Sequence, residues 1–321
     1  MPPNPSPSQP KRILTTASSP RTTTPAQPPK WHSALTLDLV LSVLRRTILH
    51  PWPAWILVLS LRAQVTPTTD LAFVLATGYA VLVTVVAMAG VVNARVAYGL
   101  PRTVEWGEEV VVITGGASTP TVLINCAAAR INGQPLLSLS AEAFQKTIQT
   151  NLFAVFHTCQ TFLPRMLAAP NGGTIVNVSS VLGQLCPAGL VDYSTSKAGL
   201  SALHRTLEAE LRASGDDEKV KMILVEPGQV ATPLFASVKT PNKFFAPVLE
   251  PVHVAQEIVS AIEEGRGGVI RLPAYATMVN WYAVLPAGLQ RIARFLSGVD
   301  HAVAQTSSQK SLDEQKAAKT E

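Results

Sequence analysis

The sequence predicts an α/β fold, a parallel sheet covered by helices and preceded by a membrane region. Three observations carry this expectation. From about Glu108 onward, short β-branched runs alternate with amphipathic stretches. Ahead of them lies an uninterrupted uncharged run, Leu71 to Val92. Charged residues make up only 15% of a chain that is 47% hydrophobic, against roughly 25% charge in a soluble domain. A mean hydropathy of +0.24 agrees.

The chain opens with an arm, residues 1–34, rich in Pro, Ser and Thr (MPPNPSPSQP, TTASSPRTTTPAQPP). It holds too few large apolar groups to offset the entropy of chain ordering, and disorder is expected. The arm lacks the short apolar core of a cleaved signal peptide, and its prolines oppose the amphipathic helix of a transit peptide. Much of the formal charge of +5 sits here and beside the hydrophobic segments, at Lys11, Arg12, Arg21, Lys30, Arg45 and Arg46. That distribution suits anionic lipid headgroups and argues against a nucleic-acid partner.

Residues 35–62 are apolar but broken by Arg45–Arg46 and by Pro51 and Pro53. An interfacial helix followed by a re-entrant or hairpin segment is expected, membrane-associated without spanning. Leu71–Val92, at about 1.5 Å per residue, is long enough to cross a hydrocarbon core of roughly 30 Å. Arg62 before it and Arg95 and Arg102 after it nearly balance, so the positive-inside rule orients a lone span poorly, whereas a hairpin leaves both basic flanks on the cytoplasmic side.

The domain expected over 108–300 contains the strand-like runs VVVITGG (110–116), TVLINCAA (121–128), GTIVNVSS (173–180) and VKMILVEPG (220–228). Between and after them, 141–166 and 196–213 read as amphipathic helices. A polar tail, 301–321, closes the chain. The three cysteines, Cys126, Cys159 and Cys186, have no paired spacing and no nearby His clusters, which argues against disulfides and against a metal site and fits a reducing compartment.

The strongest local signal is YSTSK, residues 193–197. It begins a helical pattern and sets Tyr193 and Lys197 four apart, on one helix face. A phenol with a pKa near 10 exchanges protons poorly at neutral pH, and a neighbouring ammonium is expected to lower it. Alone, a Tyr and a Lys at this spacing form a common surface pair.

Context changes that reading. Ser180 lies thirteen residues before Tyr193, Asn151 lies further back in TNLFAVFHT, and VEPGQVATP follows at 225–233. From Thr121 to about Thr232, these motifs in this order resemble the short-chain dehydrogenase/reductase family. The resemblance implies a Rossmann-like sheet and a nicotinamide cofactor, NADP or NAD. It implies that Tyr193 exchanges a proton with the substrate oxygen, that Lys197 lowers the Tyr193 pKa and holds the nicotinamide ribose, and that Ser180 hydrogen-bonds the substrate. Asn151 would support a proton-relay water by locally opening its helix. Ser179 is the rival to Ser180, and the family's thirteen-residue spacing selects the latter. Asn177-Val178-Ser179 also has the form of a glycosylation sequon, without meaning in a cytosolic strand.

By the same resemblance the cofactor is expected at Thr114, Gly115, Gly116, Asn125, Ala127, Tyr193, Lys197, Pro227, Gly228 and Thr232. Residues 234–250, with Phe235, Phe244 and Phe245, fall where the family keeps its substrate loop. Their apolar character points either to a lipid-like alcohol or ketone or to ordinary packing. Tyr275 to Leu296 is similar to the C-terminal region of the retinol and hydroxysteroid dehydrogenase branch, and either lies on a membrane surface or packs on the domain. An endoplasmic-reticulum or lipid-droplet membrane with a cytosolic domain is the implied location, and the family admits a homodimer.

The resemblance breaks after Ser118. VVVITGG looks like the first strand and the opening of the family's phosphate-binding loop, but its later glycines are absent. Thr119-Pro120 leads straight into TVLINCAA, whose Asn125-Cys126-Ala127-Ala128 stands where the family has NNAG. Two strands and three helices are missing between them, roughly 60 residues for two βαβ units, including the residue that chooses NAD or NADP. Parallel neighbours need a crossover of about a dozen residues or more, so native placement of both strands is not expected. The five remaining strands can still form a smaller sheet if the 110–114 strand is displaced or turned antiparallel. Two functions follow: a membrane-anchored oxidoreductase for lipid-like alcohols, or a catalytically impaired interaction protein derived from one.

Overall fold

The computed structural model describes residues 35–104, 111–112, 121–235, 238, 240 and 244–302. The arm 1–34, Thr114, Gly115, Gly116 and the tail beyond 302 lie outside the described residues.

Three helices come first. Helix α1 (Leu37–Arg46) is capped by the Thr36 hydroxyl, which accepts from Leu39 N. Pro51 starts α2 (Pro51–Ala63), where its missing N–H costs nothing. Helix α3 (Leu71–Tyr98) is capped by Asp70, extends six residues beyond the uncharged run, and ends at Gly99 with φ of +67°. Small residues let α2 and α3 approach: Ala54 and Val58 pack against Ala76 and Ala80, and Trp55 Nε1 donates to Thr84 Oγ1 at 3.0 Å. The two helices thus pack against one another as a helical hairpin. Among the described residues α3 is the one helix long and apolar enough to cross a membrane, with a mean hydropathy of 2.3.

The sheet follows, with five parallel strands in the order β1-β2-β3-β4-β5. They are β1 (Val111–Val112), β2 (Val122–Asn125), β3 (Gly173–Val178), β4 (Val220–Pro227) and β5 (Gly268–Leu272). Strand β1 pairs with β2 in parallel, Val111 opposite Val122, which corrects the expectation of a displaced or antiparallel first strand. The crossover rule presumes full-length strands with a covering helix, whereas among the described residues β1 pairs with β2 at Val111 and Val112. Returning along roughly 7 Å of strand is well within the reach of the nine residues between Val112 and Val122.

The crossovers are α4 (Ala141–Ile148) with α5 (Ala154–Ala168), then short α6 (Leu182–Leu185) with α7 (Val191–Ser214), then α8 (Pro251–Glu263). Alternate side chains of each strand serve opposite faces. Leu123, Ile175 and Met222 join Val155, Met166 and Leu200 of α5 and α7 in one core layer. On the other face Val176, Ile223 and Val225 meet Val254, Ile258 and Ile262 of α8. Both faces are covered, which is why the strand sequences are almost continuously apolar.

Helix α3 does not end loosely. The Tyr98 ring lies on Gly268, where a Cβ would come within 3.3 Å of Cε2. Lys221 Nζ donates to Tyr98 O at 3.5 Å, and Arg212 Nη2 donates to Ala97 O at 3.4 Å. Arg102 N then donates to Gly265 O at 2.7 Å. Gly265 has φ of +60°, and a Cβ there would strike Arg102 O. After β5, α9 (Tyr275–Tyr282) and α10 (Ala287–Ser297) complete the described chain.

Candidate active site

The residues expected to carry the chemistry converge at the C-terminal ends of β3 and β4, where open parallel sheets bind ligands. Ser179 and Ser180 follow β3, Pro227 ends β4, and Tyr193 and Lys197 occupy the first turns of α7. All are buried; Tyr193 and Lys197 are each 2% exposed.

Ser180 rather than Ser179 is at the phenol. The Ser180 hydroxyl is near enough to favour the ionised form of the Tyr193 phenol, donates to Pro227 O at 3.4 Å and accepts from Leu182 N at 3.2 Å. Ser179 turns inward, donating to Lys197 O at 2.9 Å, with its hydroxyl 2.8 Å from that of Ser201. Phe235 stands edge-on to Tyr193, ring centres 6.1 Å apart. Phe235 is therefore packed on the phenol, while Phe244 and Phe245 stack edge-on against each other at 5.0 Å.

Lys197 Nζ lies 5.9 Å from the centre of the Tyr193 ring and donates to Val178 O at 2.8 Å. Burial pushes the Lys197 ammonium down to about 8, with the nearby Cys126 acting in the opposite direction. Burial also pushes the Tyr193 phenol up to about 12, opposed by Ser180. The net shift of the phenol is thus upward, against the expected lowering. Withdrawing the phenolate from water costs more than these neighbours return.

Asn151 sits in a π-helical turn, Gln149–Phe153, between α4 and α5. The helix is opened at this point, as the resemblance implied. Asn151 Oδ1 accepts from Ala129 N at 2.7 Å, and its amide donates to Ser196 Oγ at 2.9 Å. The turn therefore ties the segment after β2 to α7.

Asn125 ends β2, but its side chain is occupied within the fold. Its Oδ1 accepts from Thr158 Oγ1 at 2.8 Å, and its Nδ2 donates to Asn177 Oδ1 at 2.8 Å. The Asn177 amide lies 3.1 Å from His204 Nδ1. An amide nitrogen can only donate, so Nδ1 accepts and the neutral ring carries its proton on Nε2. Burial pushes His204 down to about 4. Asn177, fully buried, is a structural link and no sugar acceptor.

Ala127 and Cys126 are exposed beside the end of β2. Gly228 N donates to Leu272 O at 2.6 Å, and a Cβ on Gly228 would meet the Tyr275 hydroxyl at 2.6 Å. Thr232, half-buried, donates from Oγ1 to Val230 O at 3.4 Å. The ammonium of Lys197 has three donors and the phenol lies beside it, a set that fits the diol of a nicotinamide ribose. The expected pyrophosphate residues lie outside the described residues.

The sequence reading missed a buried ionic cluster beneath this site. Glu226, fully buried next to Pro227, accepts from Arg271 Nε at 2.8 Å, Ser201 Oγ at 3.1 Å and Gln184 Nε2 at 3.1 Å. The one available signal was a carboxylate inside an otherwise apolar strand run, which calls for a partner. The fifth of the expected strands had no assigned residues; it is β5, whose GVIRL is short and bounded by Gly and Pro.

A family model described as short chain dehydrogenase matches residues 120–243. Among curated relatives, an uncharacterized oxidoreductase of Saccharomyces cerevisiae, TDA5, is 34% identical over 179 residues, covering 56% of this chain and 54% of its own. Retinol dehydrogenase 10-B of Danio rerio is 38% identical over 143 residues, 44% of this chain and 42% of its own. A solved short chain dehydrogenase from Burkholderia cenocepacia in complex with NADP is 27% identical, with a TM-score of 0.45, covering 55% of this chain and 68% of its own. The chain spans about half the length of the curated relatives it matches. The matched span holds the described residues expected at the catalytic group and the cofactor, on a parallel sheet, and this part of the chain is similar to the short-chain dehydrogenases.

Proposed function

We propose that this chain is a membrane-anchored, nicotinamide-dependent oxidoreductase that interconverts a lipid-like alcohol and its carbonyl. One observation carries the reading: Ser180, Tyr193 and Lys197 are buried together, with the Lys197 ammonium 5.9 Å from the centre of the phenol ring. In this reading Tyr193 holds and moves the proton at its phenolic oxygen, and Ser180 orients the substrate oxygen against it. Lys197 binds the ribose hydroxyls and, below a pKa of about 8, supplies positive charge beside the phenol. Asn151 positions α7 through Ser196. The nicotinamide, when bound, supplies or accepts the hydride, with Pro227, Gly228 and Thr232 around its carboxamide. Burial of the whole group excludes water, which strengthens each of these interactions.

Support for a lipid-like substrate comes from the apolar Phe235, Phe244 and Phe245 and from a relative named as a retinol dehydrogenase. Support for the membrane comes from α3; an endoplasmic-reticulum or lipid-droplet location belongs to this proposal. The second reading, a catalytically impaired interaction protein, draws on the near-complete burial of Tyr193 under Phe235. Cofactor binding separates the two. Full-length chain in detergent should perturb the fluorescence of NADPH or NADH, and the preferred nucleotide identifies the cofactor. Absence of any protein-dependent change at millimolar nucleotide overturns the enzymatic reading.

A further inference from the structure

Helix α10 is amphipathic, yet it is mounted inside out. Of its polar side chains Arg291 is exposed, while Gln290 and Arg294 bond to the protein. Arg294 donates from Nη1 to Leu185 O at 2.7 Å and to the Tyr282 hydroxyl at 3.3 Å. Its Nη2 donates to Cys186 O at 3.1 Å, and its Nε pairs with Asp300 Oδ2 at 2.9 Å. With the arginine drawn inward, the apolar stripe at Leu289, Ile292 and Leu296 faces out, and no residue of α10 is buried. Trp281 and Val284, with Leu296 and Phe295, are 70 to 85% exposed.

Such a patch is unusual on a free protein surface and marks an interface. What covers it follows from its neighbours. The residue before α9, Ala274, donates its N–H to Asp38 of α1, and Leu37 N of α1 donates to Phe244 O at 3.0 Å. Helix α1 is itself without buried residues, exposes Leu39 and Val43, and ends in exposed Arg45 and Arg46. Four residues later the chain enters the α2–α3 hairpin, whose second helix has the hydropathy of a membrane span. The patch is therefore joined, through α1, to the most apolar part of the chain, with arginines placed for headgroups.

We propose that α10 and the end of α9 lie in the bilayer surface, giving the domain a second membrane contact next to the candidate site. This rests on the reading that α3 spans the membrane. The contact is close to the site because Arg294 holds Leu185 and Cys186, in the segment that follows Ser180, while Ala276 and Val279 of α9 pack on Val181. An amphipathic alcohol dissolved in the bilayer would thus meet the protein beside Ser180 and Tyr193.

The test uses full-length chain in phosphatidylcholine vesicles containing a minor fraction of phosphatidylserine, with Cys126 and Cys186 replaced by serine. An environment-sensitive fluorophore is attached at Phe295→Cys, at Val85→Cys within α3, or at Glu210→Cys on the exposed side of α7. We expect the labels at positions 295 and 85 to be blue-shifted, to lose intensity when lipids carry nitroxide on the acyl chain, and to resist aqueous iodide. The label at position 210 should show the reverse. Quenching at position 85 but not at 295 overturns the second contact and leaves the anchor standing; quenching at neither overturns both. Iodide resistance at 295 without acyl-chain quenching, lost on diluting the protein in lipid, assigns the patch to a second copy and also overturns the proposal.

Discussion

Lys197 and Tyr193 share one helix face, the ammonium 5.9 Å from the centre of the phenol ring, and neither has appreciable access to water. Burial moves both groups toward their neutral forms: it lowers the lysine and raises the tyrosine. At neutral pH the lysine still carries its proton and the tyrosine keeps its own, the combination needed to donate a proton to a carbonyl oxygen.

The Tyr193→Phe variant keeps the ring against Phe235 and removes only the hydroxyl. We expect turnover of a lipid-like ketone or alcohol to fall by about 10²- to 10⁴-fold, the range for loss of a general acid–base group. Cofactor binding, followed by nucleotide fluorescence, should be little changed. A variant with unchanged turnover would remove Tyr193 from the chemistry.

Alkaline stability reports on Lys197. Its folded pKa is lowered from 10.5 to about 8, so the unfolded chain holds the proton more tightly. The resulting penalty is complete below pH 8 and is relieved as pH rises toward 10.5, by about 3 kcal/mol in all. Urea unfolding between pH 7 and 9.5 should show stability rising in the wild type relative to Lys197→Met. Parallel curves would contradict a buried ammonium. Above pH 10 the raised phenol of Tyr193 acts in the opposite sense, since the unfolded chain loses that proton first.

Acid stability reports on His204. Its folded pKa is lowered from 6.5 to about 4, and a proton on Nδ1 would face the Asn177 amide that donates to it. Stability is therefore lost as pH falls through the window from 6.5 to 4, by about 3 kcal/mol at most. His204→Gln should flatten the unfolding curve across this window, measured against wild type. An unchanged acid slope would place the sensitivity elsewhere.

Glu226 holds β4, β5 and α7 together through groups that cannot find water if it is lost. Glu226→Ala strands Arg271 in a largely buried setting and should cost about 3–5 kcal/mol. Arg271→Met in the same background should return part of that loss, because the remaining charge is then removed. Denaturant unfolding of the two single variants and the double variant measures this; strict additivity would show that the pair is not coupled.

Much of this architecture could be read before any coordinates. Strands β2, β3 and β4 announce themselves as apolar β-branched runs because both their faces are buried. Tyr193 and Lys197 could be paired because helical spacing alone sets them on one face. What stayed hidden depends on residues far apart in the chain. The links from Thr158 through Asn125 and Asn177 to His204 join two strands and two helices, and no local pattern announces them. The periodicity of α10 reveals two faces but not which one turns inward. That choice is made by the carbonyls of Leu185 and Cys186, more than a hundred residues earlier. The parallel pairing of β1 with β2 runs against the crossover rule for parallel neighbours, so local pattern gave no sign of it.

The join between α3 and the sheet has a mechanical meaning. Tyr98 is seated on Gly268, its carbonyl and that of Ala97 are held by Lys221 and Arg212, and three residues past Gly99 the backbone is fastened again at Gly265. A long helix attached this way behaves as a lever clamped at its base. Tilting α3, as a change in the thickness of its surroundings would do, turns the base of β4 and β5 with it. Pro227 and Gly228 stand at the other end of those strands, so torque on the helix reaches them through stiff backbone.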